Sequence, residues 1–382
     1  MGDNVRIAPV SVPTDLAVPE LLDSLADGAY ITDLDRKILC WNRAAERITG
    51  WSAIEVVGRS CFDNILVHVD KQGCALCGKD RCPLRRSIVT GEPSTEPLLI
   101  FAQRKTGSRV PVEVSVGPIR NHDGGVIGGV EVFRDLTEVM QDLLRAKGIQ
   151  DNSVCSPLPE DARLEVEVSY HPRNIVGGDF YRIERLDADI YALMVADAMG
   201  HGVAGALCAM QLRSLWGDHQ AELESPALFL SVINERLHGL VRGAGYLATA
   251  VCATYDAGCG QLRCARAGHP APLLFRANEP VESVGQSQLA LGMLPGITYT
   301  EASVQLTPGD ALLFFTDGAV ELFDATEHEL GVAGLKRLVR QQIARDDCAG
   351  FRTPILEEQL LRYSNLIRLP DDLTLLKLRR TA

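Results

Sequence analysis

Asp179 and Asp197 flank a segment with few ways to fold other than as a hairpin. Tyr191 to Val195 is a short apolar run that reads as a buried strand, and the run that Asp179 opens, Phe180 to Leu186, mixes aromatic, β-branched and charged residues. Asp187-Ala188-Asp189 between them supplies the turn. A hairpin centred on Ala188 sets Asp179 opposite Asp197, where cross-strand side chains approach to about 4.5–5.5 Å. Unneutralised carboxylates at that separation repel, so the pair either rises in pKa or holds a cation. Acids beside a turn are commonly just solvated, and it is the neighbours that argue for a site. Gly177-Gly178 lets the backbone approach closely before Asp179, and Gly200-His201-Gly202 makes a tight turn into the helical run Val203 to Trp216.

Five blocks then follow one another in order: Val176-Gly-Gly-Asp-Phe-Tyr181, Ala196-Asp-Ala-Met-Gly-His-Gly202, Ala267-Gly-His-Pro270, Phe315-Thr-Asp-Gly318 and Asp371-Asp-Leu-Thr374. In these the chain resembles the metal-dependent, type 2C-like protein serine/threonine phosphatases, in particular their bacterial SpoIIE-like branch, over roughly residues 160 to 380. The resemblance implies a β-sandwich flanked by helices, an α-β-β-α arrangement. It makes Asp197 a bridging metal ligand, with Asp179, Asp317, Asp371 and the carbonyl of Ala198 completing a site for two Mn²⁺ or Mg²⁺. Asp371 is taken over Asp372 because the first acid of the pair aligns with the family ligand. Oxygen-only ligation suits those hard ions, and two of them can activate a shared water and clamp a phosphate. His201 resembles the histidine that helps protonate the leaving seryl oxygen, although a histidine between two glycines could equally serve the turn. His269 reads as structural and Asp310 as a turn residue. Two positions depart from the family pattern: Ala198, where Gly is frequent, and Arg182, where an acid is frequent.

The chain has 382 residues and is 46% hydrophobic, enough for two or three domains with real cores. No apolar run approaches the ~20 residues of a membrane span and the N-terminus lacks a signal-peptide pattern, so a soluble, cytoplasmic protein is expected. Eleven scattered cysteines, an odd number, fit reduced thiols better than a disulfide scaffold. A net charge of −12 argues against nucleic-acid or anionic-membrane partners, and a phosphorylated substrate would need local positive charge. No cysteine is followed six positions later by arginine, which excludes a cysteine-nucleophile phosphatase. No phosphate-binding Gly-rich loop is present, so a kinase or NTPase is unsupported.

Residues 1–19 read as a flexible lead-in. Gly28 to Asn42 reads as two short strands around Asp35-Arg36, followed by a helix from Arg43 to Thr49 that stops at Gly50. Leu98 to Gln103, Val110 to Pro118 and Val126 to Arg134 read as three strands. That order resembles a PAS sensory domain over residues 20–138, an antiparallel sheet with short helices, and the whole chain is thus expected to be α+β. An insert at 61–82 carries Cys61, His68, Cys74, Cys77 and Cys82. Thiolates with one imidazole suit zinc or an iron–sulfur cluster, and the alternative is a loop of reduced cysteines or a thiol–disulfide pair. Gly58-Arg-Ser-Cys61 is similar to the flavin-binding cysteine motif, but Phe62-Asp-Asn-Ile65 departs from it.

Leu136, Val139, Met140, Leu143 and Leu144 mark one face of a helix beginning near Asp135. Such a stripe could seam a parallel homodimer or pack back on its own domain. Residues 139–160 are read as this signalling helix and a linker, and 161–382 as the phosphatase-like domain. The expected function is hydrolysis of phosphoserine or phosphothreonine on a protein. By resemblance the substrate is a STAS-type anti-sigma-factor antagonist in bacterial partner switching, and helices after Gly202 read the sensory input. The rival reading is a non-enzymatic scaffold with a vestigial metal site.

Overall fold

The computed structural model describes residues 18–71, 73–77, 81–95, 97–154, 157–200, 202–240, 247–277, 279–344, 350–366 and 369–382. Almost all of the expected flexible lead-in, and His201, lie outside the described residues. The chain divides into two compact units, 1–142 and 143–382.

The first unit runs α1 (Val18–Asp23), β1 (Gly28–Asp33), β2 (Ile38–Trp41), α2 (Arg43–Thr49), α3 (Ala53–Val56), α4 (Pro83–Thr90), β3 (Leu98–Gln103), β4 (Arg109–Arg120) and β5 (Val126–Asp135). Its five strands form one antiparallel sheet in the order β2-β1-β5-β4-β3. Local chemistry explains the starts and stops. Asn42 caps α2 by accepting the Ala45 N–H, and Gly50 ends it at φ 76°, a backbone angle that disfavours side chains. Along β4, Val110, Val112, Val114 and Val116 alternate into the core while their neighbours face outward. Helix α5 (Thr137–Val154) follows, and the division between units falls within it. It extends past Lys147 and into the segment expected to be a linker. Val139, Leu144 and Ile149 remain exposed along it.

The second unit contains β6 (Leu164–His171), β7 (Asp179–Arg185), β8 (Ile190–Ala198), α6 (Val203–Asp218), α7 (Pro226–Leu240), β9 (Ala248–Asp256), β10 (Gln261–Ala267), β11 (Leu273–Phe275), β12 (Glu282–Ser283), β13 (Ala302–Gln305), β14 (Ala311–Phe315), α8 (Gly331–Ile343), α9 (Thr353–Ser364) and β15 (Leu373–Arg380). Two antiparallel five-stranded sheets result, β13-β10-β9-β8-β7 and β12-β11-β14-β15-β6. Strands β14 and β15 show why both faces are covered. Leu312, Phe314, Leu376 and Leu378 join the core shared with the other sheet and with α6 and α7. Ala311, Leu313, Phe315, Leu373 and Leu375 point the opposite way, into a second core with α8 and α9. Period-two alternation within near-continuous apolar strands therefore builds an α-β-β-α sandwich. Among the described residues no helix is long and apolar enough to cross a membrane.

Candidate metal centre

The hairpin forms in the expected register: β7 pairs with β8 so that Asp179 lies opposite Asp197, and Arg185 opposite Tyr191 closes it around Ala188. Asp179 is 1% exposed, and one of its oxygens accepts from the hydroxyls of Thr316 at 2.8 Å and Thr374 at 2.7 Å. Thr316 follows β14 directly before Asp317, and Thr374 lies in the paired inner strand β15, shortly after Asp371. Asp179 thus ties one sheet to the other, which brings Asp317 and Asp371 to the hairpin.

The electrostatics record this convergence. Burial raises Asp197 to about 7, with the charges of Asp317, Asp371, Asp372 and Glu321 adding to the effect. Asp179 is pushed well above the usual carboxylate range by burial and then by Asp197, partly offset by the threonine hydroxyls. Asp317 rises through burial, Glu321 and Asp371. Asp179, Asp197 and Asp317, each raised by burial and by neighbouring carboxylates, form with Asp371 a site whose ionised state favours a cation. The donors are all oxygen, which suits Mn²⁺ or Mg²⁺. Among the described residues no three His, Cys, Asp or Glu donors already surround a single point, at this cluster or elsewhere.

Ala198 ends β8 in extended backbone, so the alanine holds its carbonyl in place without the freedom of glycine. That carbonyl is why Gly178 must be glycine, since a Cβ there would sit 2.8 Å from the Ala198 oxygen. Gly200 and Gly202 both take positive φ, 95° and 72°, in the turn that starts α6.

The two acids at 371 and 372 part company. Asp372 is 6% exposed and accepts the backbone N–H groups of Arg173 at 2.5 Å and Gly178 at 2.6 Å. Its oxygens hold the loop before Asp179. Asp371 is exposed and lines a cavity of about 470 Å³ with His171, Arg173, Lys147, Glu357 and Leu361. His269 is buried, its ring nitrogen is 2.8 Å from the Thr249 hydroxyl, and its carbonyl accepts from Arg266. Thr249 stands opposite Asp197 on β9. Burial and the Arg266 charge lower His269 to about 3, so it is a neutral support, as read from the sequence. Asp310 accepts from the backbone and hydroxyl of Thr307 in a turn.

Several contributors carry no motif of their own. Thr316 and Thr374 sit inside the quoted blocks but were not read as orienting groups. Glu321 follows Asp317 by one helical turn, a spacing that could have exposed it. Gln150, on α5, donates to the Gly177 carbonyl at 2.7 Å and accepts the Gly177 N–H at 3.2 Å, pairing with the loop as a strand would.

Residues 187–381 match the family model described as Stage II sporulation protein E (SpoIIE), and residues 26–138 match that of the PAS domain. The chain belongs to the SpoIIE family. Its first unit is a PAS domain, in keeping with the sheet order. Two Bacillus subtilis relatives of this SpoIIE-family chain are the phosphoserine phosphatases RsbP and RsbU. RsbP is 26% identical over 185 residues, covering 47% of this chain and 45% of RsbP. RsbU is 23% identical over 247 residues, covering 64% of this chain and 71% of RsbU. The chain spans less than half the length of RsbP and of protein IcfG from Synechocystis, two of the curated relatives it matches. Among solved structures, the SiaA-PP2C domain of Pseudomonas aeruginosa shares the fold with a TM-score of 0.53 at 23% identity, over 63% of this chain and 97% of that domain.

Proposed function

We propose that this chain hydrolyses phosphoserine or phosphothreonine on a protein, with metal held by Asp179, Asp197, Asp317, Asp371 and the Ala198 carbonyl. The observation that carries this reading is the convergence of these acids from two sheets, where neighbouring carboxylate charge raises Asp179, Asp197 and Asp317. When bound, Mn²⁺ or Mg²⁺ would supply a nucleophilic water at neutral pH and positive charge for the phosphate. The chain's own residues do the positioning. Thr316 and Thr374 fix the Asp179 carboxylate, and Asp372 and Gln150 fix the loop that carries it. Arg173 and Lys147, the latter paired with Asp151 at 2.9 Å, are the cationic groups beside Asp371 that a phosphoprotein would meet. His201, assigned by family resemblance, donates a proton to the leaving seryl oxygen.

The phosphoserine phosphatases RsbP and RsbU support serine as the target, and a STAS-type anti-sigma-factor antagonist is the proposed substrate. The PAS domain is the input, and the stripe of Leu136, Val139, Met140, Leu143 and Leu144 at the start of α5, of which Val139 and Leu144 are exposed, seams a homodimer. The test is phosphate release by the full chain from a phosphoseryl peptide and from a phosphorylated STAS protein, with and without Mn²⁺. Release that requires the ion and stops with chelator is expected; release indifferent to metal overturns the reading.

Gln150→Ala tests the link between α5 and the site. Losing both amide bonds frees Gly177, so turnover is expected to fall by about 10–100-fold, the usual effect of losing an outer partner of a metal site. A Mn²⁺ titration followed by turnover should shift to weaker binding. The melting temperature should fall as well, because the buried N–H and carbonyl of Gly177 both lose their partner.

A further inference from the structure

The core of the PAS domain buries a set of donors that its sheet does not need. Cys61 and Cys82, 3% and 4% exposed, lie in one apolar cluster with Tyr30, Ile65, Leu66 and Phe133. Cys77 joins them: its sulfur accepts the backbone N–H of His68 at 3.0 Å. His68 and Glu131, also buried, place Nε2 and Oε1 3.6 Å apart, and neither atom has a hydrogen-bond partner. The sulfurs are close enough to one another and to Glu131 for their charges to interact. Cys74 separates from the set. It is exposed, and its N–H is bound to Asp70 in a turn, so the five-residue group read from the sequence reduces to Cys61, His68, Cys77 and Cys82.

A buried imidazole nitrogen and carboxyl oxygen left unpaired are destabilising, and such atoms call for an explanation such as a bound ion. A peroxide-sensing thiol pair fits poorly, because burial pushes Cys61 up and Cys77 to about 12 and so suppresses the reactive thiolate. A metal displaces the thiol protons itself, and His68, kept neutral by burial, keeps a lone pair free. Three cysteines and one histidine make a closed tetrahedral zinc set, whereas iron–sulfur clusters ordinarily take four cysteines. We propose that Cys61, His68, Cys77 and Cys82 form a zinc site in the core of the PAS domain, with Tyr30 and Glu131 as the polar groups around it. Since these donors do not already surround one point, loading turns the side chains, most readily Cys77 at its half-exposed position. The metal would tie Cys61 and His68 to Cys77 and Cys82.

The experiment uses the full chain, expressed with zinc and purified under reducing, anaerobic conditions. Zinc freed by a mercurial that titrates thiols is read with a chromophoric chelator, which leaves carboxylate-held metal uncounted. About one zinc per chain is expected, as for a structural site. Cys61→Ser, Cys77→Ser and Cys82→Ser should each lose that zinc, and Cys74→Ser and Cys259→Ser should keep it. Cobalt loading of chelator-stripped wild type gives a check independent of variant folding: thiolate-to-cobalt charge-transfer bands should appear and vanish on adding zinc. Wild type with neither thiol-released zinc nor those bands overturns the site. Zinc retained in Cys77→Ser and Cys82→Ser, or lost equally from Cys74→Ser, overturns this ligand set.

Discussion

Replacing Asp197 with asparagine is expected to abolish metal-dependent phosphate release while the chain still folds. The loss should exceed the roughly 10–100-fold that removal of an outer-shell partner costs a metal site. Asp197 stands opposite Asp179 and shares its field with Asp317, Asp371 and Glu321, so it is the acid through which the others interact. Asparagine keeps the shape and removes the charge. Phosphate release and Mn²⁺ titration on the same preparation check this, and wild-type turnover in the variant would sink the proposed mechanism.

The same substitution has a stability signature with a definite sign. Folding raises Asp197 from 3.8 to about 7, so the native state binds its proton more tightly than the unfolded chain does. Metal-free protein is therefore expected to lose stability as pH rises from near 3.8 to about 7, and to level off above that. Asp179 and Asp317, shifted in the same direction, add to the decline. Asp197→Asn should flatten part of it, and saturating Mn²⁺ should flatten most of it, because the cation stabilises the ionised acids. Denaturant midpoints across that pH range, with and without Mn²⁺, measure both effects.

The second large effect separates neighbouring acids. Asp372→Ala leaves the buried N–H of Gly178 and the part-buried N–H of Arg173 without their acceptor. At about 1–3 kcal/mol for each orphaned donor, destabilisation of roughly 2–5 kcal/mol is expected. In a unit of this size that corresponds to a fall in melting temperature of about 5–15 °C. Asp371→Asn, at the exposed rim of the cavity, should leave the melting temperature near wild type and weaken Mn²⁺-dependent turnover. Thermal melts of the two variants beside their turnover decide the matter: a reversal, with Asp371 structural and Asp372 dispensable for folding, would reassign the ligand.

Local rules carried much of this site. The pairing of Asp179 with Asp197 follows from a turn of short polar and small residues between two runs of strand character, because antiparallel register is set by the turn and by which face is apolar. Helix α2, with its Asn42 cap and Gly50 stop, and strand β14, a five-residue apolar run, are local in the same way. Helices α8 and α9, on a face where the resemblance implies helices, have no position legible from local pattern. Their apolar faces acquire meaning only against the outer side of β14 and β15, where Leu335, Val339, Leu356 and Leu360 are buried. Likewise α5 continues to Val154, into the start of the stretch expected to be a linker, and is held at Gln150 by a loop distant in sequence.

By itself, then, the sequence determined the hairpin, the order of the five blocks and the acids they contain, since each depends on neighbours a few residues away. Only the tertiary structure decided that Asp372 holds the loop before Asp179 while Asp371 is exposed, that Thr316 and Thr374 orient Asp179, and that Cys74 leaves the cysteine set. Those roles depend on which backbone N–H groups a folded loop leaves unpaired, and on which side chains two sheets bury together. Neither is a property of any short stretch of chain.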